Sequence, residues 1–200
     1  MPQLITDPTS GEALPANADT KTLVVDMDGS LLRTDTLHEM LLAATVQEPK
    51  LLLKVPGWIK GGKAAFKRHL ADHVILDPAS LPVNLEVLQV IKDARAEGRR
   101  VALVSAADER QVARVAEHFG IFDEWHGTRA VDGAENLGGA AKARLLIERF
   151  GDRGFDYVGD CKADKAVWKH ARRAITVDAG GRLRRDAENG AEEAHHLGAP

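Results

Sequence analysis

One short stretch near the start of the chain constrains the fold more than any other. Thr22–Val25 is an uncharged run of β-branched and aliphatic residues, which is typical of a buried strand in a parallel sheet. The acidic sequence DMDGS follows at once, at residues 26–30. Two carboxylates at the carboxyl end of a strand, before a glycine that can adopt a positive φ, lie where open α/β sheets bind ligands. The stretch predicts an acidic site at one sheet edge, and an ordinary Asp/Gly turn is the alternative.

Further along the chain, strand and helix patterns alternate. Apolar runs suited to strands recur at 101–104, 155–158 and 174–177, with a shorter candidate within 125–131, and amphipathic helical patterns separate them. Strands that alternate with helices favour a parallel sheet with helices on both faces and right-handed crossovers. The sequence therefore predicts an α/β fold.

A long segment between the first two strands has a helical pattern. Residues 35–81 carry apolar side chains at helical spacing and no strand-like run, and they are several times longer than a crossover requires. We therefore expect a helical insertion there and a core domain built from 21–34 and 82–180. A flexible tail is expected at 1–20, and a polar, irregular segment at 181–200.

Composition and charge narrow the class of protein. The 200 residues carry a formal net charge of -3, whereas nucleic-acid-binding domains usually have a basic excess, so nucleic acid is not an expected partner. Cys161 is the only cysteine, which excludes an internal disulfide and favours a reducing compartment. The first 20 residues lack the regions of a secretory signal, and no apolar run is long enough to span a bilayer. These features predict a soluble, cytoplasmic chain.

Chemically active side chains follow other strands and begin a later helix. Ser105 follows the second strand, Lys142 lies in the first turn of a helix, and Asp160 and Asp164 follow the fourth strand. Because the carboxyl ends of parallel strands share one edge, we expect these groups to meet the acidic pair after the first strand. Each residue also has a simpler alternative role. Ser105 could form a hydrogen bond at the end of a strand, Lys142 could be a solvated helix residue, and Asp164 could cap a helix.

The order and spacing of these groups resemble those of the haloacid dehalogenase (HAD) superfamily of phosphohydrolases. Four segments carry the resemblance: VVDMDGS, VALVS, the helix with Lys142, and GDCKAD. The resemblance implies a Rossmann-like three-layer fold with spatial strand order 5-4-1-2-3 and a helical cap inserted after the first strand. It also implies hydrolysis of a phosphomonoester through an aspartyl-phosphate. Ser30 and Cys161 depart from the family pattern, which usually has threonine at the first position and serine or threonine at the second.

The chemistry of phosphoryl transfer agrees with the roles that the resemblance implies. A carboxylate nucleophile, here Asp26, repels a phosphate dianion, so positive charge must surround the phosphoryl group. Mg²⁺ prefers oxygen ligands and is the expected cofactor. Asp28 is the expected general acid, and family members that cleave carbon-halogen bonds lack it, which favours phosphatase chemistry. The expected sets are the catalytic residues Asp26, Asp28, Ser105 and Lys142; the phosphate-binding residues Ser105, Lys142 and Gly29; and the metal ligands Asp26, Asp28 (through its main-chain carbonyl), Asp160 and Asp164.

The predicted insertion has an unusual composition. Between residues 49 and 71 there is no Asp or Glu, and basic residues from Lys50 to Arg68 are interleaved with apolar ones. A basic, apolar helical surface is suited to anionic lipid headgroups or to a phosphorylated lipid. Residues 50–68 are therefore a candidate contact with the inner face of a membrane. The alternative is that the apolar residues pack inside the cap and the lysines are solvated.

A narrower resemblance concerns the runs DMDGSLLRTDTLHEMLL and AAFKRHLADHV. They resemble the N-terminal HAD region found ahead of UbiA-type prenyltransferase domains in some bacterial proteins. The resemblance implies a sugar-linked or prenyl-linked phosphate as substrate, and a role for 181–200 as a linker to a membrane domain. Two competing functions stay open: a catalytically silent, phosphate-binding regulatory module of such a prenyltransferase system, and a phospho-accepting receiver domain, which would lack the long insertion.

Overall fold

One parallel sheet of six strands organises the chain. The structure, a computed structural model, describes residues 21–199, so the predicted tail at 1–20 lies outside the described residues. The strands are β1 (Thr22–Val25), β2 (Val101–Asp108), β3 (Glu124–Thr128), β4 (Phe155–Gly159), β5 (Arg173–Val177) and β6 (Glu193–Leu197). Their spatial order is β3-β2-β1-β4-β5-β6, and every neighbouring pair is parallel. The predicted order of the first five strands is confirmed, and a sixth strand extends the β5 edge.

Alternating side chains of the central strand enter two separate cores. Leu23 and Val25 pack on one face of the sheet and Val24 on the other, and each is at most 1% exposed. A strand buried on both faces has no polar side, which explains the uniformly apolar run in the sequence. The helices are α1 (Thr36–Gln47), α2 (Val55–Lys60), α3 (Gly62–His73), α4 (Leu85–Ala96), α5 (Glu109–Phe119), α6 (Ala140–Phe150), α7 (Lys165–Trp168) and α8 (Gly181–Gly190).

The insertion after β1 packs directly onto the core. Residues 35–81, called the cap below, form α1, α2, α3 and turns, without a strand. Asp35 begins α1 because its side chain accepts hydrogen bonds from first-turn backbone N–H groups. Met40 in α1 and Leu70 in α3 are buried in the same apolar cluster as Leu23. The cap and the sheet therefore share one core, which places the cap beside the carboxyl end of β1.

The C-terminal segment corrects the sequence prediction. An irregular stretch was expected at 181–200, but residues 181–190 form α8, and β6 pairs with β5 from Glu193 to Leu197. The side chains of β6 are exposed or half-buried, so the strand needs no apolar run like that of the central strand. In α8, Ala187 is the only buried residue, so the helix lacks the apolar stripe that would reveal it.

Candidate active site

The first candidate side chain lies at the carboxyl end of β1. The N–H of Asp26 still donates to the Val158 carbonyl of β4 at 3.0 Å, and the Asp26 carbonyl then accepts the N–H of Leu31 at 3.2 Å. The Asp26 carboxylate accepts the N–H of Met27 at 2.8 Å and the residue is 7% exposed. The sheet and the turn together hold a nearly buried carboxylate at the sheet edge.

Gly29 allows the loop after β4 to approach this turn. Its φ is +75°, and a Cβ atom built on it would lie 2.2 Å from Oδ2 of Asp160. A larger residue would displace that carboxylate. The N–H of Gly29 already donates to the Thr34 carbonyl at 3.2 Å. Gly29 therefore provides room for Asp160, and its place in the phosphate-binding set stays a prediction.

Lys142 joins the acidic loops after β1 and β4. Its ammonium nitrogen lies 2.9 Å from Oδ1 of Asp26 and 3.9 Å from Oδ1 of Asp164. It also donates to the Tyr157 hydroxyl at 2.8 Å, and that hydroxyl donates to Oδ1 of Asp164 at 2.8 Å. Sequence reasoning missed Tyr157, because an aromatic residue inside an apolar strand indicates core packing. Its hydroxyl helps to fix the lysine beside Asp26.

Asp164 organises the turn after β4. Its Oδ2 accepts the N–H groups of Asp160 and Cys161, both at 3.0 Å, and the Cys161 thiol at 3.3 Å. The residue is 2% exposed. Possible ligand atoms of Asp160, Cys161 and Asp164 all lie within 4.8 Å of one another. Since both oxygens of Asp164 already accept hydrogen bonds, its clearest role is to hold Asp160 in place.

The second aspartate of the motif is held between the cap and the sheet. Oδ1 of Asp28 accepts the N–H of Thr36, the first residue of α1, at 2.8 Å. Its Oδ2 accepts the hydroxyl of Ser105 at 3.3 Å, and the Ser105 oxygen accepts the N–H of Ala107 at 3.0 Å. Asp28 therefore links the first residue of α1 in the cap to Ser105 of β2.

Lys67 of the cap lines the cleft, and the sequence did not predict it as a site residue. The ammonium of Lys67, in α3, donates to the Ala106 carbonyl at 2.6 Å and to Oδ1 of Asn136 at 2.9 Å. In the sequence, Lys67 is one of several lysines in the cap, and no local signal separates it from the solvated ones. The packing of α3 against β2 distinguishes it.

A single cleft collects these groups. Its volume is about 460 Å³, and it is lined by every site residue predicted from the sequence: Asp26, Asp28, Gly29, Ser105, Lys142, Asp160 and Asp164. The cap closes one side with Leu37, Met40 and Lys67. The structure thus brings together groups that are as far as 138 residues apart in the chain, counted from 26 to 164.

Burial disfavours negative charge in this cleft. It raises the pKa of Asp26 to about 7, although Lys142 opposes the increase. The pKa of Asp160 also rises to about 7, first through burial and then through the neighbouring Asp164. Burial raises the pKa of Asp28 as well. Burial alone would lower the pKa of Lys142, but the attraction of Asp26 and Asp164 outweighs it and raises the pKa.

The donor set fits a hard divalent cation. The carboxylates of Asp26 and Asp164 lie 2.9 and 3.9 Å from the Lys142 ammonium, and Asp160 lies beside Asp164 in the same cleft. Three carboxylates therefore share one ammonium in this cleft. Carboxylate and carbonyl oxygens are the ligands that Mg²⁺ prefers. A bound cation would offset the burial that raises the pKa values of Asp26 and Asp160.

Comparison with solved structures identifies the fold. The chain matches a phosphoserine phosphatase in apo form with a TM-score of 0.61 and 20% identity, over 88% of this chain and 94% of that one. It matches the HAD family hydrolase t0658 from Salmonella enterica serovar Typhi with a TM-score of 0.61 and 15% identity, over 88% and 66% of the chains. A predicted phosphatase from Clostridium acetobutylicum matches with a TM-score of 0.62 and 13% identity, over 90% and 94%. At these identities the likeness establishes the fold alone, which is that of the HAD hydrolases.

A sequence relative is more similar but much longer. The chain is 38% identical over 159 residues to the uncharacterized protein y4nM of Sinorhizobium fredii, a match that covers 79% of this chain. The chain spans 30% of the length of that relative. No family model matches the sequence. Within residues 21–199, no helix combines the length and hydrophobicity required to cross a membrane.

Proposed function

We propose that this protein is a Mg²⁺-dependent phosphatase that hydrolyses a phosphomonoester through an aspartyl-phosphate on Asp26. The observation that carries the proposal is the convergence of a nearly buried carboxylate, its lysine partner at 2.9 Å and a second carboxyl group in one cleft. A phosphate-binding module has no need of a general acid, so Asp28 favours the enzyme over the regulatory alternative.

The proposed reaction has two displacement steps at phosphorus. In the first, an oxygen of Asp26 attacks phosphorus, the bond to the leaving oxygen breaks, and the carboxyl proton of Asp28 passes to that oxygen. In the second, the Asp28 carboxylate takes a proton from water, the water oxygen attacks phosphorus, and inorganic phosphate leaves Asp26. The raised pKa of Asp28 supports its presence as an acid in the first step.

The other groups stabilise the phosphoryl oxygens. Lys142 places positive charge beside the nucleophile. The Ser105 hydroxyl of β2, which donates to Asp28 at 3.3 Å, would donate to a phosphoryl oxygen when substrate is bound. The carboxylates of Asp26 and Asp160 and the main-chain carbonyl of Asp28 would hold Mg²⁺. When bound, this ion supplies charge that offsets repulsion between the phosphate dianion and Asp26. We assign Asp164 chiefly to orienting the metal-binding turn.

The substrate is proposed to be a small, sugar-linked or prenyl-linked phosphomonoester. A cleft of about 460 Å³ is large enough for a phosphoryl group and a modest leaving group. Leu37 and Met40 provide an apolar wall on the cap side. The relation to UbiA-associated HAD regions stays a prediction, and so does a linker role for the C-terminal residues.

A phosphatase panel tests the proposed activity. Purified protein is expected to release phosphate from p-nitrophenyl phosphate and from at least one sugar or short prenyl phosphate in Mg²⁺. Chelation with EDTA is expected to lower the rate at least ~100-fold, because the phosphate dianion and Asp26 would then repel each other. Added Mg²⁺ should restore the rate. A protein that binds phosphate but hydrolyses none of these compounds would support the regulatory module instead.

We further propose that the cap contacts an anionic membrane surface at the inner face of the membrane. Most of the segment 45–63 is exposed, apart from the buried Leu51 and the half-buried Val55 and Trp58, and α2 has no fully buried residue. Val46 is 83% exposed, Leu53 84% and Ile59 57%. Lys50, Lys54 and Lys60 are exposed among them, without an acidic residue between 49 and 71. Exposed apolar side chains among lysines favour the headgroup region of an anionic bilayer.

Vesicle sedimentation tests this contact. The protein is expected to bind phosphatidylcholine vesicles that contain phosphatidylglycerol, and to bind pure phosphatidylcholine or high-salt samples more weakly. Leu53→Glu is expected to lower the vesicle partition coefficient about fivefold, since one charge near the surface changes the free energy of binding by about 1 kcal/mol. Leu85→Glu, at a core-domain position that is 72% exposed, is the matched control. Equal binding to neutral and anionic vesicles would contradict the proposal.

A further inference from the structure

Lys67 occupies a place in the site that the proposed reaction does not explain. It is the lysine of the cap that lines the cleft, and its side chain is half-buried. Its two hydrogen bonds, at 2.6 and 2.9 Å, run to atoms of the core domain rather than of the cap. Burying an ammonium costs free energy unless it is hydrogen-bonded, so the Lys67 ammonium is stable only beside these two acceptors.

The two partners of Lys67 lie next to the phosphate-stabilising groups. Ala106 is in β2, where it directly follows Ser105, whose hydroxyl faces Asp28. Asn136 is in the loop before α6, where it precedes the Gly138-Gly139 pair at the start of the helix that carries Lys142. One ammonium from the cap therefore holds β2 and this loop at once.

A second set of contacts joins β2 to the same loop without the cap. The Ala106 carbonyl also accepts the hydroxyl of Thr128 at 2.8 Å, and the Thr128 oxygen accepts the N–H of Leu137 at 3.0 Å. Lys67 thus adds to an existing link between β2 and this loop and connects it to α3. The neighbouring Arg68 pairs with Asp132, which is 94% exposed, and exposed pairs contribute little.

We propose that Lys67 is a positioning residue through which the docked cap sets the catalytic geometry. It holds the backbone beside Ser105 and the loop before the Lys142 helix in the arrangement that the transferring phosphoryl group needs. Phosphoryl transfer depends on placing donors around phosphorus, and a misplacement of about 1 Å costs up to ~100-fold in rate. The inference rests on the proposed phosphatase function. It predicts that loss of Lys67 lowers kcat more than it raises KM.

Steady-state kinetics with p-nitrophenyl phosphate and saturating Mg²⁺ test this role. Lys67→Met is expected to lower kcat by ~10- to 100-fold, with KM changed less than about threefold. Lys67→Arg should recover part of kcat, because a guanidinium also donates to both acceptors. Asn136→Ala should lower kcat by a smaller factor, and the Lys67→Met/Asn136→Ala double variant should be no slower than Lys67→Met alone. Lys63→Met, at an exposed lysine of the same helix, is the control.

The outcomes separate this inference from the proposed function. If the unaltered protein hydrolyses no phosphate ester, the proposed function fails. If it is active but Lys67→Met keeps its kcat and only KM rises, Lys67 binds substrate, and the positioning role is wrong. Unchanged kinetics with a lower melting temperature would reduce Lys67 to a structural tether and also overturn it. Should Lys67→Met not fold, the kcat values of Lys67→Arg and Asn136→Ala decide in the same way.

Discussion

Replacing Asp26 by asparagine is expected to lower phosphatase turnover by at least ~1,000-fold. The amide keeps the shape of the side chain but lacks the nucleophilic carboxylate, so no aspartyl-phosphate forms. The fold should survive, because burial already favours the uncharged form of Asp26 and raises its pKa to about 7. Phosphate release and acid-quenched labelling with radioactive substrate measure turnover and the phosphoenzyme.

Asp93→Asn is the matched control for this substitution. Asp93 is an exposed aspartate on α4, and it should retain full turnover and full labelling. Labelling of the Asp26→Asn variant at the level of the unaltered protein would place the nucleophile elsewhere. Turnover within tenfold of the unaltered protein would contradict covalent catalysis at this residue.

Without a divalent cation, the protein is expected to be less stable at pH 8 than at pH 5. The folded-state pKa of Asp26 and of Asp160 is about 7, above the ordinary value of 3.8. The folded protein therefore binds more protons than the unfolded chain between about pH 4 and pH 7, and the free energy of unfolding falls as pH rises through that window. The buried Asp26 leads to an expected loss of ~2–4 kcal/mol.

Mg²⁺ is expected to restore this stability at pH 8, since it binds the ionised carboxylates of the folded state. Denaturant unfolding at pH 5 and pH 8, in EDTA and in millimolar Mg²⁺, measures the effect. Asp26→Asn should flatten the dependence on pH, because one of the carboxyl groups with a raised pKa is then absent. Metal-free protein that gains stability from pH 5 to pH 8 would show that these carboxylates are not held as the structure indicates.

The sequence by itself determined the parts of this protein that depend on local pattern. An uncharged, β-branched run is typical of a strand that is buried on both faces of a sheet. The run Thr22–Val25 therefore predicted β1 and the position of Asp26 at its carboxyl end. The alternation of strands and helices implied a parallel sheet, and a parallel sheet brings strand ends to one edge. That rule predicted that Ser105, Lys142 and Asp160 lie near Asp26, and all four residues line one cleft.

Only the tertiary structure decided which polar groups join the site from elements that pack against it. In the sequence, Lys67 cannot be told from the neighbouring lysines, and Tyr157 cannot be told from a core aromatic residue. The packing of α3 against β2 brings Lys67 to the Ala106 carbonyl, and the fold brings the Tyr157 hydroxyl to Lys142. The sixth strand was also not predicted. It is held by backbone hydrogen bonds to β5, and these leave no pattern in its side chains. These features arise from contacts between distant segments, and a periodicity read along the chain contains no information about such contacts.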